Sequence, residues 1–216
     1  MQSDMDEEME IVFADEAFVV VGKPGGLLAV PGRGPDKQDC VAARLRRRFP
    51  AMIGQPAVHR LDMYTSGLMV FAVTALAHRV LSRQFEDRLV TKRYMALLEG
   101  IVAGEGGEIR LPFRLDPDNR PLQIYDPLHG KLGITGWQKV AVEGSYTRVI
   151  FTPLTGRTHQ LRVHAAHPLG LAAPIVGDSL YGTGRDGEQM CLHATFLQFL
   201  HPLTGRLLQF SSEPPF

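Results

Sequence analysis

The chain has 216 residues, 44% of them hydrophobic, which is enough for one large domain or two small ones with a proper core. No apolar run reaches the ~20 residues that a membrane-spanning helix needs, and the acidic start lacks the pattern of a signal peptide. Its two cysteines, Cys40 and Cys191, are far apart in sequence, which favours a cytoplasmic protein with free thiols.

The formal net charge of zero hides an uneven distribution of charge. Residues 1–10 carry five acids and no base, so the rest of the chain has 23 bases against 18 acids. Basic side chains cluster at Arg44–Arg48 and again at Arg83, Arg88, Lys92 and Arg93. Such clusters can bind the phosphates of a nucleic acid, although a cluster of this kind is also common on a solvated helix face.

The amino-terminal part begins with residues 1–8, which we predict to be a disordered acidic tail. A hairpin of two strands follows, over Glu10–Phe13 and Phe18–Val21, with its turn at Asp15-Glu16. The segment Gly22–Gly26 then breaks the second strand. It is not a phosphate-binding P-loop, because Pro24 follows Lys23 where such a loop has Ser or Thr at the start of a helix.

Two helices are predicted next. The first covers about Cys40 to Phe49, with Asp39 as its cap and Pro50 as its stop. The second covers about Ala75 to Arg88, with Thr74 as its cap. Val80, Leu81 and Phe85 supply its apolar face, and Arg79, Arg83 and Glu86 face solvent.

The remaining elements are mostly strands. We predict strands over Leu68–Val73, Thr91–Leu98, Thr135–Val142, Tyr146–Thr152, Leu192–Leu200 and Leu207–Phe210. Residues 103–133, rich in Gly, Pro and Asp, are expected to hold short strands at best. Thr158 is predicted to cap a short helix over His159–Ala166. Many strands, few helices and no βαβ repeat indicate an α+β fold on a mixed, largely antiparallel sheet with a few flanking helices.

Polar residues concentrate in a loop that enters the apolar strand Leu68–Val73. The loop reads Val58-His59-Arg60-Leu61-Asp62-Met63-Tyr64-Thr65-Ser66-Gly67. A core strand holds such a loop in a fixed place, which suits a catalytic site. The same residues would also suit a turn in which Asp62, Thr65 and Ser66 bind their own backbone.

The sequence of this loop resembles the signature of the RluA-type pseudouridine synthases, which isomerise uridine to pseudouridine in RNA. The resemblance continues, in matching order, at Lys23–Leu27, Lys92–Tyr94, Thr155–His164 and Gly177–Gly182, so it spans nearly the whole chain. The chain is most similar to the short members that lack an amino-terminal S4 RNA-binding domain. The resemblance implies a single catalytic domain over residues 9–216, with an active-site cleft across the sheet.

The resemblance also implies roles for individual residues. Asp62 matches the family's essential aspartate, and Arg162 is the expected partner in an ion pair that keeps this carboxylate charged. Tyr94 matches the active-site tyrosine, whose ring stacks on the target uracil. Arg60 matches the residue that fills the gap left by the flipped nucleotide.

Further contacts with the substrate are expected from Lys23, His59, Thr65 and Arg157. Each also has a simpler interpretation: a rigid turn at Lys23, a structural histidine at His59, turn hydrogen bonding at Thr65 and an ion pair at Arg157. We expect no cofactor. We also expect no metal, because His159 and His164 are five residues apart and share no helix face.

The predicted function is therefore the isomerisation of specific uridines in stem-loops of 23S ribosomal RNA, of the tRNA anticodon arm, or of both. The expected partner is structured RNA, and the expected state is a monomer. An RNA-binding or RNA-folding protein without catalysis is the alternative from another class. The intact set of Asp62, Tyr94 and Arg162 argues against it.

Overall fold

The computed structural model describes residues 9–216, and the predicted acidic tail, residues 1–8, lies outside the described residues. These residues form two compact units. Unit one runs to Lys92 and adds His193–Pro215, and unit two is Arg93–Leu192 with Phe216. The single catalytic domain over 9–216 stays a prediction.

Unit one holds five strands and two α-helices among its described residues. They are β1 (Glu10–Ala14), β2 (Phe18–Lys23), α1 (Val41–Arg48), β3 (Ser66–Ala72), α2 (Ala75–Glu86), β9 (Leu192–Leu200) and β10 (Leu207–Ser211). Antiparallel pairs join β1 to β2, β2 to β3 and β9 to β10, whereas β3 runs parallel to β9. The predicted hairpin, the buried strand and the last two strands are confirmed.

One cluster of the core of unit one lies on the face of this sheet that α2 covers. Alternate residues of β2 and β3, such as Phe18, Val20, Leu68 and Val70, share a cluster with Leu81 of α2. This alternation follows from the two-residue period of a strand, which sends every second side chain to one face. The position of β3 inside this core fixes the polar loop that precedes it.

The helices of unit one confirm one predicted cap and correct the other. Thr74 caps α2, since its Oγ1 accepts a hydrogen bond from the Ala77 N–H at 3.2 Å. Asp39 does not cap α1, because the cap is Cys40, whose Sγ accepts from the Ala43 N–H. The Asp39 carboxylate instead binds the Nε and Nη2 of Arg44, at 3.0 and 2.6 Å.

Unit two contains an antiparallel sheet in the order β4-β8-β7-β5-β6, and one helix. Its elements are β4 (Thr91–Glu99), β5 (Gly106–Leu115), β6 (Gln123–Tyr125), β7 (Lys131–Glu143), β8 (Tyr146–Pro153) and α3 (Gln160–Ala166). The expectation of short strands over residues 103–133 was wrong, because β5 has ten residues and pairs with β7 from Gly106 to Phe113.

The start of α3 also differs from the prediction. Its cap is His159, in the left-handed region at φ 56°, rather than Thr158, and no side chain accepts a capping hydrogen bond there. The α+β class and the mixed, largely antiparallel arrangement of strands are confirmed. Among residues 9–216, no helix is long and apolar enough to cross a membrane.

Candidate active site

The loop that carries Asp62 is held by the chain on both sides of it. The Thr65 N–H donates to the Asp62 carbonyl at 3.2 Å, which closes a turn, and β3 starts one residue later with every residue buried. Gly67 has φ of 108°, and a Cβ there would collide with the backbone of Ala194. A glycine is therefore required at this point of closest approach. Asp62 itself is half-buried.

Lys23 is buried beneath the same loop and binds its backbone, so its side chain is not on the protein surface. Its side chain is 1% exposed, and its Nζ donates to the carbonyls of Pro24, Leu27 and Met63, each at 2.8 Å. Burial lowers the pKa of Lys23 to about 7, against the opposing effect of the negative charge of Asp62. Because these carbonyls occupy all three N–H donors, Lys23 suits the positioning of Asp62 better than the predicted contact with substrate.

His59 is likewise turned toward the protein. The Val70 N–H donates to its Nε2 at 3.1 Å, and its ring stacks on Phe85 with centroids 4.5 Å apart. Burial, helped by the charge of Lys92, lowers the pKa of His59 to about 3, so the ring is neutral. A neutral ring agrees with Nε2 acting as an acceptor. Its predicted contact with substrate stays a prediction.

Exposure to solvent differs between Arg60 and the residues of the two basic clusters. Arg60 is exposed, as are Arg46, Arg47 and Arg48 at the end of α1. Arg44 is buried in its pair with Asp39, which makes it less suited than Arg46–Arg48 to the phosphate-binding role predicted for Arg44–Arg48. Lys92 lies 5.8 Å from the centre of the Phe85 ring, and burial lowers its pKa.

Thr65 and Ser66, which follow Asp62 in the loop, are both buried. The burial of Thr65 favours the turn role over contact with substrate. Ser66 Oγ lies 2.8 Å from His193 Nδ1, and His193 Nε2 lies 3.0 Å from Ser212 Oγ. Burial lowers the pKa of His193 to about 4. This chain of hydrogen bonds connects the first residue of β3 to β9 and to the segment after β10.

Arg162 of α3 makes a bidentate ion pair with Asp178, an acid for which no role was predicted from the sequence. Its Nε and Nη2 donate to the two carboxylate oxygens at 2.7 and 2.6 Å. Burial by itself raises the pKa of Asp178, but the guanidinium and the N–H groups of Leu180 and Tyr181 outweigh it and keep the pKa below its ordinary value. The signal for Asp178 was present in the block Gly177–Gly182, but nothing in the sequence pairs it with α3.

Tyr181, also without a predicted role, completes this cluster. Its ring lies 5.2 Å from the Arg162 guanidinium carbon, and its Oη lies 2.9 Å from His159 Nδ1. It also accepts a hydrogen bond from the Gln123 N–H at 2.8 Å. Asp178 and Tyr181 together hold the Arg162 guanidinium in one orientation. The predicted pairing of Arg162 with Asp62 stays a prediction.

The turn before α3 is organised by Gln160. Its Oε1 accepts from Thr155 Oγ1 at 2.7 Å and from the Arg157 N–H at 3.0 Å. Its Nε2 donates to Ile134 O and Thr135 Oγ1, at 3.0 and 2.8 Å. Arg157 is exposed, so it remains available for the predicted phosphate contact.

Tyr94 is nearly buried in β4, where every second residue from Tyr94 to Leu98 faces inward. Asp62 belongs to unit one, whereas Tyr94 and Arg162 belong to unit two. Among residues 9–216, no three His, Cys, Asp or Glu side chains are close enough to hold a metal ion.

Comparison with known proteins identifies the family. The family model for RNA pseudouridylate synthase matches residues 17–167. The chain is 41% identical over 215 residues to "Dual-specificity RNA pseudouridine synthase RluA" of Haemophilus ducreyi, covering 96% of this chain and 94% of that protein. It is 39% identical over 210 residues to the protein of the same description in Escherichia coli, covering 95% and 93%.

A solved structure agrees with these sequence matches. "Human RNA Pseudouridylate Synthase Domain Containing 1" has a TM-score of 0.77 and 30% identity, covering 100% of this chain and 87% of that one. The match of the family model and of full-length relatives includes the loop of Asp62 and the turn before α3. The chain therefore belongs to the RNA pseudouridylate synthase family and is an RNA pseudouridine synthase.

Proposed function

We propose that this enzyme isomerises uridines in stem-loops of 23S ribosomal RNA and of the tRNA anticodon arm, with Asp62 as the catalytic carboxylate. The relatives described as dual-specificity enzymes support two classes of substrate. The observation that supports the role of Asp62 most directly is its half-buried position in a loop fixed by Lys23, Thr65 and Gly67. A carboxylate held in this way keeps its orientation when an RNA arrives.

The reaction breaks the N1–C1′ bond, turns the uracil, joins C5 to C1′ and removes the C5 proton. A carboxylate can assist by attacking C1′, by attacking C6, or by removing the C2′ proton of the ribose. All three require Asp62 to be ionised in a poorly solvated site, which needs a fixed cation. Arg162, oriented by Asp178 and Tyr181, and Lys23, which interacts with Asp62 through its charge, are the proposed cations.

Tyr94 and Arg60 have separate proposed roles. The Tyr94 ring stacks on the uracil, and its hydroxyl assists removal of the C5 proton. The exposed Arg60 side chain fills the space that the flipped uridine leaves in the loop. Arg157, Arg46 and Arg47, which are also exposed, contact phosphates and add affinity without selecting a sequence.

The direct test is to map pseudouridine by carbodiimide adducts in RNA from cells with and without this gene. The purified enzyme is then incubated with 23S ribosomal RNA and with tRNA from the deletion strain. We expect one adduct in each class to depend on the enzyme. Restoration in a single class would limit the substrate to that class, and release of free uracil would indicate glycosidic cleavage without rejoining.

A further inference from the structure

A cavity of about 500 Å³ lies in unit one, beside the loop that carries Asp62. Its walls come from Val30 and Pro31, from Ala42 and Arg46 of α1, and from the segment 54–60. Its volume falls in the range of small-ligand sites, roughly 300–1,000 Å³. Arg60 lines part of the cavity, and its Cα is within ~7 Å of the Asp62 Cα by chain length alone.

The lining of this cavity combines apolar walls with positive charge. Val30, Pro31, Ala42 and Val58 supply apolar surface, whereas Arg46 and Arg60 are exposed side chains and so form its rim. Arg46 is held there, because its Nη1 donates to the Gly54 carbonyl at 3.2 Å. Of the residues in the described part of the chain that line the cavity, none is an acid.

This combination matches the chemistry of a nucleotide. A nucleobase has apolar faces that pack on aliphatic side chains or on an Arg plane, and its phosphate favours the guanidinium groups at the rim. The unpaired bases of an RNA loop can splay out of the stack and pack on protein side chains. A cavity beside Arg60, two residues from Asp62, is in reach of such a base.

From this geometry we infer that the cavity bounded by Ala42, Arg46, Val58 and Arg60 binds one unpaired nucleobase of the substrate RNA, next to the uridine that is modified. The inference rests on the proposed function in stem-loops. It assigns a second base-binding site to the enzyme, and it predicts that one loop nucleotide other than the target contributes specifically to affinity.

The experiment combines cavity-filling variants with abasic scanning of an anticodon stem-loop RNA. Ala42→Leu extends a side chain into the cavity, and Ala43→Leu, on the same helix but outside the cavity, is the matched control. Each loop nucleotide in turn is replaced by an abasic residue, and the Kd is measured for every pair. We expect one abasic position to weaken wild-type and Ala43→Leu binding about ten-fold. The same position should change Ala42→Leu binding by less than about two-fold.

A second variant provides an independent test if Ala42→Leu, at a buried position, lowers the thermal stability of unit one. Arg46→Gln removes the cation at the rim and keeps a helix-forming residue at an exposed position. It should weaken binding of the intact hairpin several-fold and reduce the cost of the same abasic residue. If no loop position shows coupling to either variant, the inference is overturned.

A free nucleotide is the other source of the same chemistry. If AMP or UMP weakens RNA binding by the wild type but not by Ala42→Leu, and no abasic position couples, the cavity binds free nucleotides and the inference is overturned. Failure of the proposed function is recognised separately, by a wild-type enzyme that forms no pseudouridine in the 23S and tRNA substrates. Failure of this inference is an absence of coupling in an enzyme that forms pseudouridine.

Discussion

Lys23 Nζ donates to the Met63 carbonyl at 2.8 Å, which connects the end of β2 to the residue after Asp62, forty positions later in the chain. The same ammonium binds the carbonyls of Pro24 and Leu27. Three carbonyls from two segments therefore converge on a single buried charge. We expect the position of Asp62 to depend on this convergence, because its own turn is only a few residues long.

We predict that Lys23→Met moves the loop without removing the enzyme's affinity for RNA. The three carbonyls lose their donor, so the free energy of unfolding should fall by about 1–3 kcal/mol. The kcat should fall while the Kd for RNA stays within error. Lys37→Met, at an exposed position, is the control. An unchanged kcat at a temperature where the variant is folded would show that Lys23 does not position Asp62.

The Asp62→Asn variant tests the carboxylate itself. The amide keeps the shape of the side chain but loses its charge and its nucleophilicity. We expect a folded protein with normal RNA affinity and a single-turnover rate reduced by more than about 10³-fold. Asp36→Asn, in an exposed turn of the same unit, should retain the wild-type rate. Normal turnover by Asp62→Asn would exclude Asp62 as the catalytic residue.

Asp178→Asn tests the buried ion pair of unit two. Removing one charge leaves the Arg162 guanidinium uncompensated, which we expect to cost about 3–5 kcal/mol of stability. Arg162→Met should cost a similar amount, and the double variant should cost less than the sum of the two single variants. Chemical denaturation measures all three. Additive losses would mean that the pair contributes no coupling energy.

The Arg162 variants also separate structure from catalysis. Arg162→Lys keeps the charge but cannot reproduce the bidentate geometry, so it should not restore activity. If Arg162 also stabilises ionised Asp62, Arg162→Met should move the acidic limb of the pH–rate profile upward, because the carboxylate then protonates more easily. A profile with an unmoved acidic limb would restrict Arg162 to a structural role.

Arg60→Ala should impair structured substrates most. Its proposed role is to occupy the space left by the flipped uridine, and a uridine that is already unstacked costs less to extrude. Single-turnover rates on a closed anticodon hairpin and on a flexible single strand measure the difference. A loss of equal size on both RNAs would leave Arg60 as an ordinary phosphate contact.

Buried histidines should make this enzyme sensitive to mild acid. Burial lowers the pKa of His164 from 6.5 to about 4, with the charge of His167 as the smaller cause. The unfolded chain therefore binds a proton near pH 6.5 that the folded chain binds only near pH 4. Stability is fully present above pH 6.5 and is lost as pH falls toward 4, by up to about 1.4 kcal/mol per pH unit for each such histidine. His59 and His193 act in the same direction.

His164→Leu isolates one of these contributions. Both ring nitrogens of His164 are buried with no hydrogen-bond partner among the described residues, so the substitution breaks no such bond. We expect the variant to be as stable as wild type at pH 7 and to lose less stability between pH 6.5 and 4. Unfolding free energies from urea titrations at several pH values provide the measurement, with the exposed His129→Leu as the control. An unchanged slope would contradict the prediction.

Local signals in the sequence predicted much of the fold. The apolar run of β3, the strand predicted over Thr91–Leu98 and the Thr74 cap of α2 each depend on residues a few positions apart. The predictions failed where a distant or competing partner decided the outcome. Asp39 binds Arg44 instead of capping α1, and β5 is long because eight of its ten residues, Gly106 to Phe113, pair with β7.

The sequence by itself determined the family and predicted the reactive residues, because both rest on short blocks such as the loop of Asp62. Only the tertiary structure decided what holds them in place. The contacts of Lys23 with Met63, Arg162 with Asp178 and Ser66 with His193 join residues 40, 16 and 127 positions apart. No local sequence pattern predicts such contacts, because the two partners meet only when the chain folds. A charged or polar group is buried only where another group can form a hydrogen bond or an ion pair with it.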